Sequence, residues 1–114
     1  MTIVQETYTA ANCAVDDNLS EGKAWQKSNV DRRVVRIGFS GSTAVGDCWL
    51  DVYYGSEKVM EICNMTTGLP KGRVCGFWHT SKLRLPAGVP LNIMCTDAAN
   101  TNVVYLWMDI AELI

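Results

Sequence analysis

The sequence predicts an all-β fold, and three observations lead there. Apolar residues recur at every second position in run after run, turn-forming residues break those runs at short intervals, and no stretch carries the spacing of an amphipathic helix. At 114 residues the chain fits a single domain, 1-114, large enough to bury roughly two-thirds of its unfolded surface without disulfide staples. The runs make about eight strands, too many for one open sheet, so the economical architectures are a two-sheet sandwich, an eight-stranded jelly roll or a small closed barrel. The favoured one is a two-sheet sandwich of about eight antiparallel strands, of the jelly-roll type.

Taken in order, Thr2 to Thr9 alternates Ile3, Gln5 and Thr7 against Val4, Glu6 and Tyr8, which suits a strand. The segment at about 11-30 is irregular: Asp16-Asp17-Asn18 and Ser20-Glu21-Gly22 are turn chemistry, and only Lys23 to Lys27, around Trp25, has room for a short strand. Arg33 to Phe39 sets Arg33, Val35, Ile37 and Phe39 against Val34, Arg36 and Gly38. Asp47 to Tyr54 sets Cys48, Leu50, Val52 and Tyr54 against Asp47, Trp49, Asp51 and Tyr53, and after Gly55-Ser56 the run Lys58 to Asn64 returns as its hairpin partner. A loop from Thr66 to Gly72 precedes strands at Val74 to Trp78 and near Lys82 to Leu85. Pro86-Ala87-Gly88-Val89-Pro90 is a turn, because proline fixes φ and glycine permits positive φ. Leu91 to Thr96 is a strand, Asp97 to Thr101 a polar turn, and Asn102 to Glu112 the final strand.

That last strand carries two apolar faces, Val104, Leu106, Met108 and Ile110 on one and Val103, Tyr105 and Trp107 on the other. A sandwich strand needs only one inward face, so the second set requires a cover. With Trp49 and Tyr53, which also oppose an aliphatic set, Val103, Tyr105 and Trp107 are the predicted subunit-interface residues. A continuous aromatic patch fits contacts between copies, whereas one or two rings beside polar loop residues fit a carbohydrate-binding, lectin-like module.

The run Leu85-Pro86-Ala87-Gly88-Val89-Pro90-Leu91-Asn92-Ile93 and the strand rhythm from Arg33 to Ile114 resemble small single jelly-roll domains, including viral capsid and vertex proteins and tumour-necrosis-factor-like modules. The resemblance implies a non-enzymatic structural protein that assembles into a symmetric homo-oligomer, a virion component with other shell proteins as further partners. It carries over no functional residue.

Composition narrows the other classes. The formal charge is −2, from 12 acidic and 10 basic residues, and the densest basic run is Asp31-Arg32-Arg33, which lacks the footprint of a nucleic-acid binder. Apolar stretches are broken by Asp or Asn well before the roughly 20 residues that span a bilayer. The first residues have neither the basic nor the apolar region of a secretory signal, so the expected location outside a virion is the cytoplasm. His79 is the only histidine, which disfavours triad and cupin-type chemistry. Asp47 with Asp51, and Asp109 with Glu112, are the carboxylate pairs whose spacing invites acid–base work, but solvated strand faces look the same. No catalytic residue, cofactor or metal site is predicted. Cys13, Cys48, Cys63, Cys75 and Cys95 have no CxxC pair and no repeated spacing, so the expected role is packing by reduced thiols. Cys48 and Cys63, on neighbouring strands of one hairpin, form a disulfide only if the register brings them together. Asn18-Leu19-Ser20 and Asn64-Met65-Thr66 are glycosylation sequons by pattern alone.

Overall fold

The computed structural model describes residues 2–66, 84–100 and 103–113, which form six strands and no helix. These are β1 (Thr2–Ala11), β2 (Arg32–Gly41), β3 (Trp49–Tyr54), β4 (Glu57–Cys63), β5 (Leu91–Asp97) and β6 (Val104–Leu113). They make two three-stranded antiparallel sheets, ordered β1-β6-β2 and β4-β3-β5. The all-β, two-sheet prediction therefore holds at the level of class and layers.

Each sheet is organised by its central strand, which needs apolar residues because partners flank it on both sides. In β6, Val104, Leu106, Met108 and Ile110 enter the core, as the alternation predicts. In β3 the inward set is Leu50, Val52 and Tyr54, preceded by Cys48, with Leu91, Ile93 and Cys95 of β5 beside them. Burying a large aliphatic side chain completely contributes about 1.5–3 kcal/mol, so these two rows supply much of the drive to fold. Gly55 sits at φ +65° in the tight β3–β4 connection, a conformation that glycine adopts without the Cβ penalty.

Two strand assignments need correction. The facing predicted for β2 groups Val35 with Ile37 and Phe39, but Val34 is the residue buried with them. The register against β6 jumps between Val34 and Arg36, so Val35 is the extra residue of a β-bulge. The bulge flips the alternation, and Arg32, Val34, Ile37 and Phe39 all end up buried. Residues Lys23 to Lys27 form turns rather than a strand, with Lys23 N–H donating to Ser20 O at 3.1 Å and Gln26 N–H to Lys23 O at 3.1 Å. Trp25 is nonetheless buried and pins this segment to the core. Of the strand predicted near Lys82 to Leu85, Leu85 pairs with Arg32 as an isolated bridge. The strand predicted at Val74 to Trp78, with Cys75 and His79, lies outside the described residues.

The long segment between β1 and β2 is built onto the second sheet. Leu19 N–H donates to Ile93 O at 2.8 Å, Asp16 N–H to Cys95 O at 2.9 Å, and Cys95 N–H to Asp17 O at 2.8 Å, so this stretch runs antiparallel beside β5 and covers its edge. Arg32 closes the other end of the segment. Its guanidinium is fully buried and donates to the carbonyls of Trp25 and Gln26. Desolvation lowers its pKa, and the carboxylate of Glu112 opposes that effect. One of the basic residues read from the sequence as a charge cluster is therefore a core anchor.

Candidate functional site

The outer face of β1-β6-β2 holds the surplus aromatic residues. Pairing places Tyr8 opposite Trp107 on one side of β6 and Gly38 opposite it on the other. The rings of Tyr8 and Trp107 are tilted at a centroid distance of 5.5 Å, Tyr105 and Trp107 at 6.4 Å, and Tyr8 stacks on Tyr105 at 6.5 Å. These separations lie in the range of favourable aromatic pairs. Trp107 stands on the face away from the core, yet it is only 2% exposed. Tyr105 and Val103 are half-buried. The large apolar side chains that this face offers to solvent are Val4 and Tyr8, each 54% exposed, and the sequence reading did not assign them to an interface. Beside them Arg36 Nε donates to Asp109 Oδ2 at 2.6 Å, so the buried carboxylate on this face is paired.

Trp49 and Tyr53 belong to the other sheet. Both lie half-buried on the outer face of β3, so the five predicted interface residues do not form one patch. Trp49 lines an open hollow of about 340 Å³ with Asp51, Lys58, Glu61, Thr96 and Asp97. Its indole Nε1–H donates to Gly46 O at 2.9 Å, which fixes the ring plane. Lys58 bridges Glu61 and Asp51, and its hydrogen bond to Glu61 is the main cause of a raised ammonium pKa. Tyr53 borders a second hollow of about 340 Å³ with Asn18, Asn92 and Met94. Asn92 Oδ1 accepts from Asn18 Nδ2 and Gln26 Nε2, each at 3.0 Å, so the polar groups at that hollow are already engaged.

The carboxylate pairs do not converge on a common centre. Asp51 is held by Lys58, Asp47 belongs to the loop before β3, and Asp109 and Glu112, three apart on one strand, point to opposite faces. Desolvation pushes the Asp47 carboxyl up, but hydrogen bonds from Ala44 N–H, Ser42, Asn100 and Thr43 N–H outweigh it and hold the group below the usual carboxylate range.

That loop is organised by Asn64, a fully buried side chain. Its Nδ2 donates to Gly41 O at 2.8 Å, Ala44 O at 2.9 Å and Asp47 Oδ1 at 3.2 Å, and its Oδ1 accepts from Gly46 N–H and Cys48 N–H, each at 3.1 Å. An amide is the only neutral side group that donates and accepts in this pattern. Asn64 is thus a structural plug, and its sequon is closed to any modifying enzyme in the folded chain. Gly41, at φ +110°, completes the turn; a Cβ there would lie 2.8 Å from both Val103 O and Val104 Cα.

The cysteines depart furthest from expectation. Cys63 pairs with Trp49 and shares its outward face, while Cys48 points inward, so the conditional Cys48–Cys63 disulfide is excluded by register. Instead Cys13, Cys48 and Cys95 meet in the interior. All three sulfurs lie within 4.8 Å of one another, all three residues are buried, and Cys48 Sγ stands 3.5 Å from Cys13 Sγ as its hydrogen-bond donor. The hydrogen bond with Cys48 and then burial push the Cys13 thiol far up; burial and then the bond with Cys13 push Cys95 up to about 12. Both shifts favour the neutral thiol at Cys13 and Cys95. The three residues are separated by 35 and 47 positions, so no spacing rule applied to the sequence groups them.

No helix among the described residues is long and apolar enough to cross a membrane. No family model, curated protein or solved structure matches the chain.

Proposed function

We propose that this chain is a non-enzymatic structural subunit of jelly-roll type that self-assembles into a symmetric oligomer, as a capsid or vertex component does. The observation that carries the reading is the contrast between β1 and the other sheet edges. The edge of β5 is covered by residues 16–19. The β2 edge carries three arginines, a bulge and bridges to Leu85 and Thr66. The β4 edge carries Glu57, Lys58 and Glu61. These are the devices by which proteins protect sheet edges from pairing with other chains. β1 is ten residues long, contains no proline, lysine or arginine, and has β6 as its sole strand partner among the described residues.

A second copy is the occupant that fits such an edge. Antiparallel pairing of β1 with itself across a two-fold axis is self-complementary, and it extends each three-stranded sheet into a continuous six-stranded one. The axis brings the exposed Val4 and Tyr8 of both copies to the same outer face, where burial contributes roughly 25 cal/mol for each Å² of apolar surface removed from water. A register centred on Thr7 keeps the two Glu6 carboxylates from lying directly opposite each other. Light scattering on a size-exclusion column at micromolar concentration tests the proposal. The native chain should run as a dimer or larger, and Val4→Lys with Tyr8→Lys should shift it to monomer with an unchanged β-sheet circular dichroism spectrum. A native monomer, or a double variant that still assembles, would overturn it.

One observation favours a second reading, a carbohydrate-binding module. The oriented Trp49 ring beside Asp51, Lys58, Glu61 and Thr96 is the combination of apolar platform and hydrogen-bonding groups that sugars require. Saturable quenching of tryptophan fluorescence by an oligosaccharide, lost in Trp49→Ala, would favour this reading over assembly alone.

A further inference from the structure

We propose that Cys13, Cys48 and Cys95 form a three-thiolate site for a single thiophilic d10 ion, Cu(I) or Zn(II), which ties the two sheets together. The inference is independent of the assembly reading and rests on geometry. A metal–sulfur bond of about 2.3 Å places three ligands about 3.8–4.0 Å apart in tetrahedral or trigonal arrangement. The sulfurs here are mutually within 4.8 Å, with the closest pair at 3.5 Å, so small rotations about χ1 bring them to that spacing.

Simple packing is the competing account, since a buried cysteine behaves as a small hydrophobe. It explains one buried thiol well, but it gives no reason for three sulfurs to meet at one point. The three arrive from separate parts of the chain: Cys13 follows β1, Cys48 precedes β3, and Cys95 lies on β5. The backbone around them is fixed before any ion binds. Cys48 N–H donates to Asn64 Oδ1 at 3.1 Å, Ala99 N–H donates to Cys13 O at 3.0 Å, and Cys95 is held by the paired segment at Asp16 and Asp17. A site with its ligands preset in this way loses little conformational freedom on binding.

Soft thiolate donors select Cu(I) and Zn(II) over harder cations, and a three-sulfur set suits three-coordinate Cu(I) as it stands. Zn(II) would take a fourth ligand, such as water, to reach its usual tetrahedral number. In either case three S–H bonds break, three metal–sulfur bonds form and three protons leave to solvent, with no change in oxidation state. Because binding releases protons, uptake should strengthen as pH rises.

The test uses the full chain, purified anaerobically with a phosphine reductant that does not itself present a thiol. Zn(II) and Cu(I) are titrated separately against a competing chromophoric chelator, and the product is weighed by native mass spectrometry. The expected result is one ion per chain, with affinity falling roughly 100-fold or more in Cys48→Ser and Cys95→Ser and unchanged in the outward-facing Cys63→Ser. The two titrations decide which ion the site prefers. Should the serine variants fail to fold, the native chain supplies the second measurement: the ion should raise its urea midpoint, and a chelator should reverse the rise. Absence of stoichiometric uptake by the native chain, equal uptake in Cys48→Ser, or a Cys13–Cys48 disulfide that forms instead of a metal complex would overturn the proposal.

Discussion

Replacing Asn64 with Asp changes one NH2 group to an oxygen at nearly constant shape, and for that reason it isolates the hydrogen-bond logic of the loop before β3. Three donor contacts disappear, to Gly41 O, Ala44 O and Asp47 Oδ1, and each becomes an oxygen facing an oxygen. A typical hydrogen bond contributes about 0.5–1.5 kcal/mol net, and orphaning a buried partner costs about 1–3 kcal/mol. Ala44 O keeps a second donor, Asp47 N–H at 3.1 Å, so the loss is not the full sum. The new carboxylate would stand 3.2 Å from Asp47 Oδ1, where two like charges repel. Protonation limits that term, because moving a carboxyl pKa from near 4 to above 7 costs about 4 kcal/mol at pH 7. The expected destabilisation of Asn64→Asp is therefore about 3–5 kcal/mol at pH 7.

Urea unfolding followed by tryptophan fluorescence at pH 7 and pH 5 would measure it. The pH dependence carries the sign. The folded-state pKa of the new carboxyl is raised above its unfolded value, so stability is fully retained below the unfolded pKa and lost as pH rises through the folded pKa. The gap between native chain and variant should thus widen from pH 5 to pH 7. A loss under 1 kcal/mol, or a gap that narrows as pH rises, would refute the assignment of Asn64 as a buried donor. Asn64→Ala is the companion variant: it should destabilise without the pH trend.

Two further outcomes follow from the same structure. Trp107→Ala removes a ring packed against Tyr8 and Tyr105 at 2% exposure, and it should lower the stability of the chain by about 3–5 kcal/mol; a change in assembly with native unfolding midpoint would show that the ring belongs to an interface instead. Asp47 has a depressed carboxyl pKa, so its stabilising contribution is present above the unfolded pKa near 4 and lost as pH falls through the lower folded value. Asp47→Asn should accordingly be less stable than the native chain at pH 7 and converge with it toward pH 2, measured as the difference in urea midpoints.

The parts of the fold that could be read from sequence are those set by a period of two. In β3 and β6 an apolar inward row alternates with an outward row that holds Trp49 and Tyr53, or Tyr105 and Trp107, and the structure follows both rows. In β2 the same reading failed at Val35, because a bulge inserts one residue and nothing in Arg33 to Phe39 marks where. The placement of the aromatic residues was half legible. Tyr105 and Trp107 had to lie away from the core, but which sheet Trp49 faced, and whether Trp107 would be covered by Tyr8, depend on strand order, which alternation does not encode. Asn64 and the cysteine cluster were hidden for a related reason. Their partners are distant in sequence, and an asparagine in a sequon or a cysteine in a strand looks the same whether it is an isolated group or the hub of a network.

The hidden features share one end of the sandwich, and their arrangement explains why they belong together. Asn64 accepts from the backbone N–H of Cys48, and Asn64 N–H donates to Cys48 O at 3.2 Å, so the plug that organises residues 41–47 also positions one of the three thiols. Cys13 follows β1 in the first sheet, while Cys48 and Cys95 belong to the second. An ion bound by all three would pin the end of β1 to the opposite sheet, adding a cross-link to chain loops of 35 and 47 residues whose ends already meet through the β3–β5 ladder and the backbone hydrogen bonds of Cys13, Asp16 and Asp17. Loop closure of that length removes substantial entropy from the unfolded chain, and an ion that binds only the folded form adds its own linkage term. β1 is also the strand that has only β6 as a partner among the described residues. A cross-link at Cys13 would hold the outer edge of β1 straight and in register for a second copy, and assembly should then strengthen with metal occupancy, even though neither proposal requires the other.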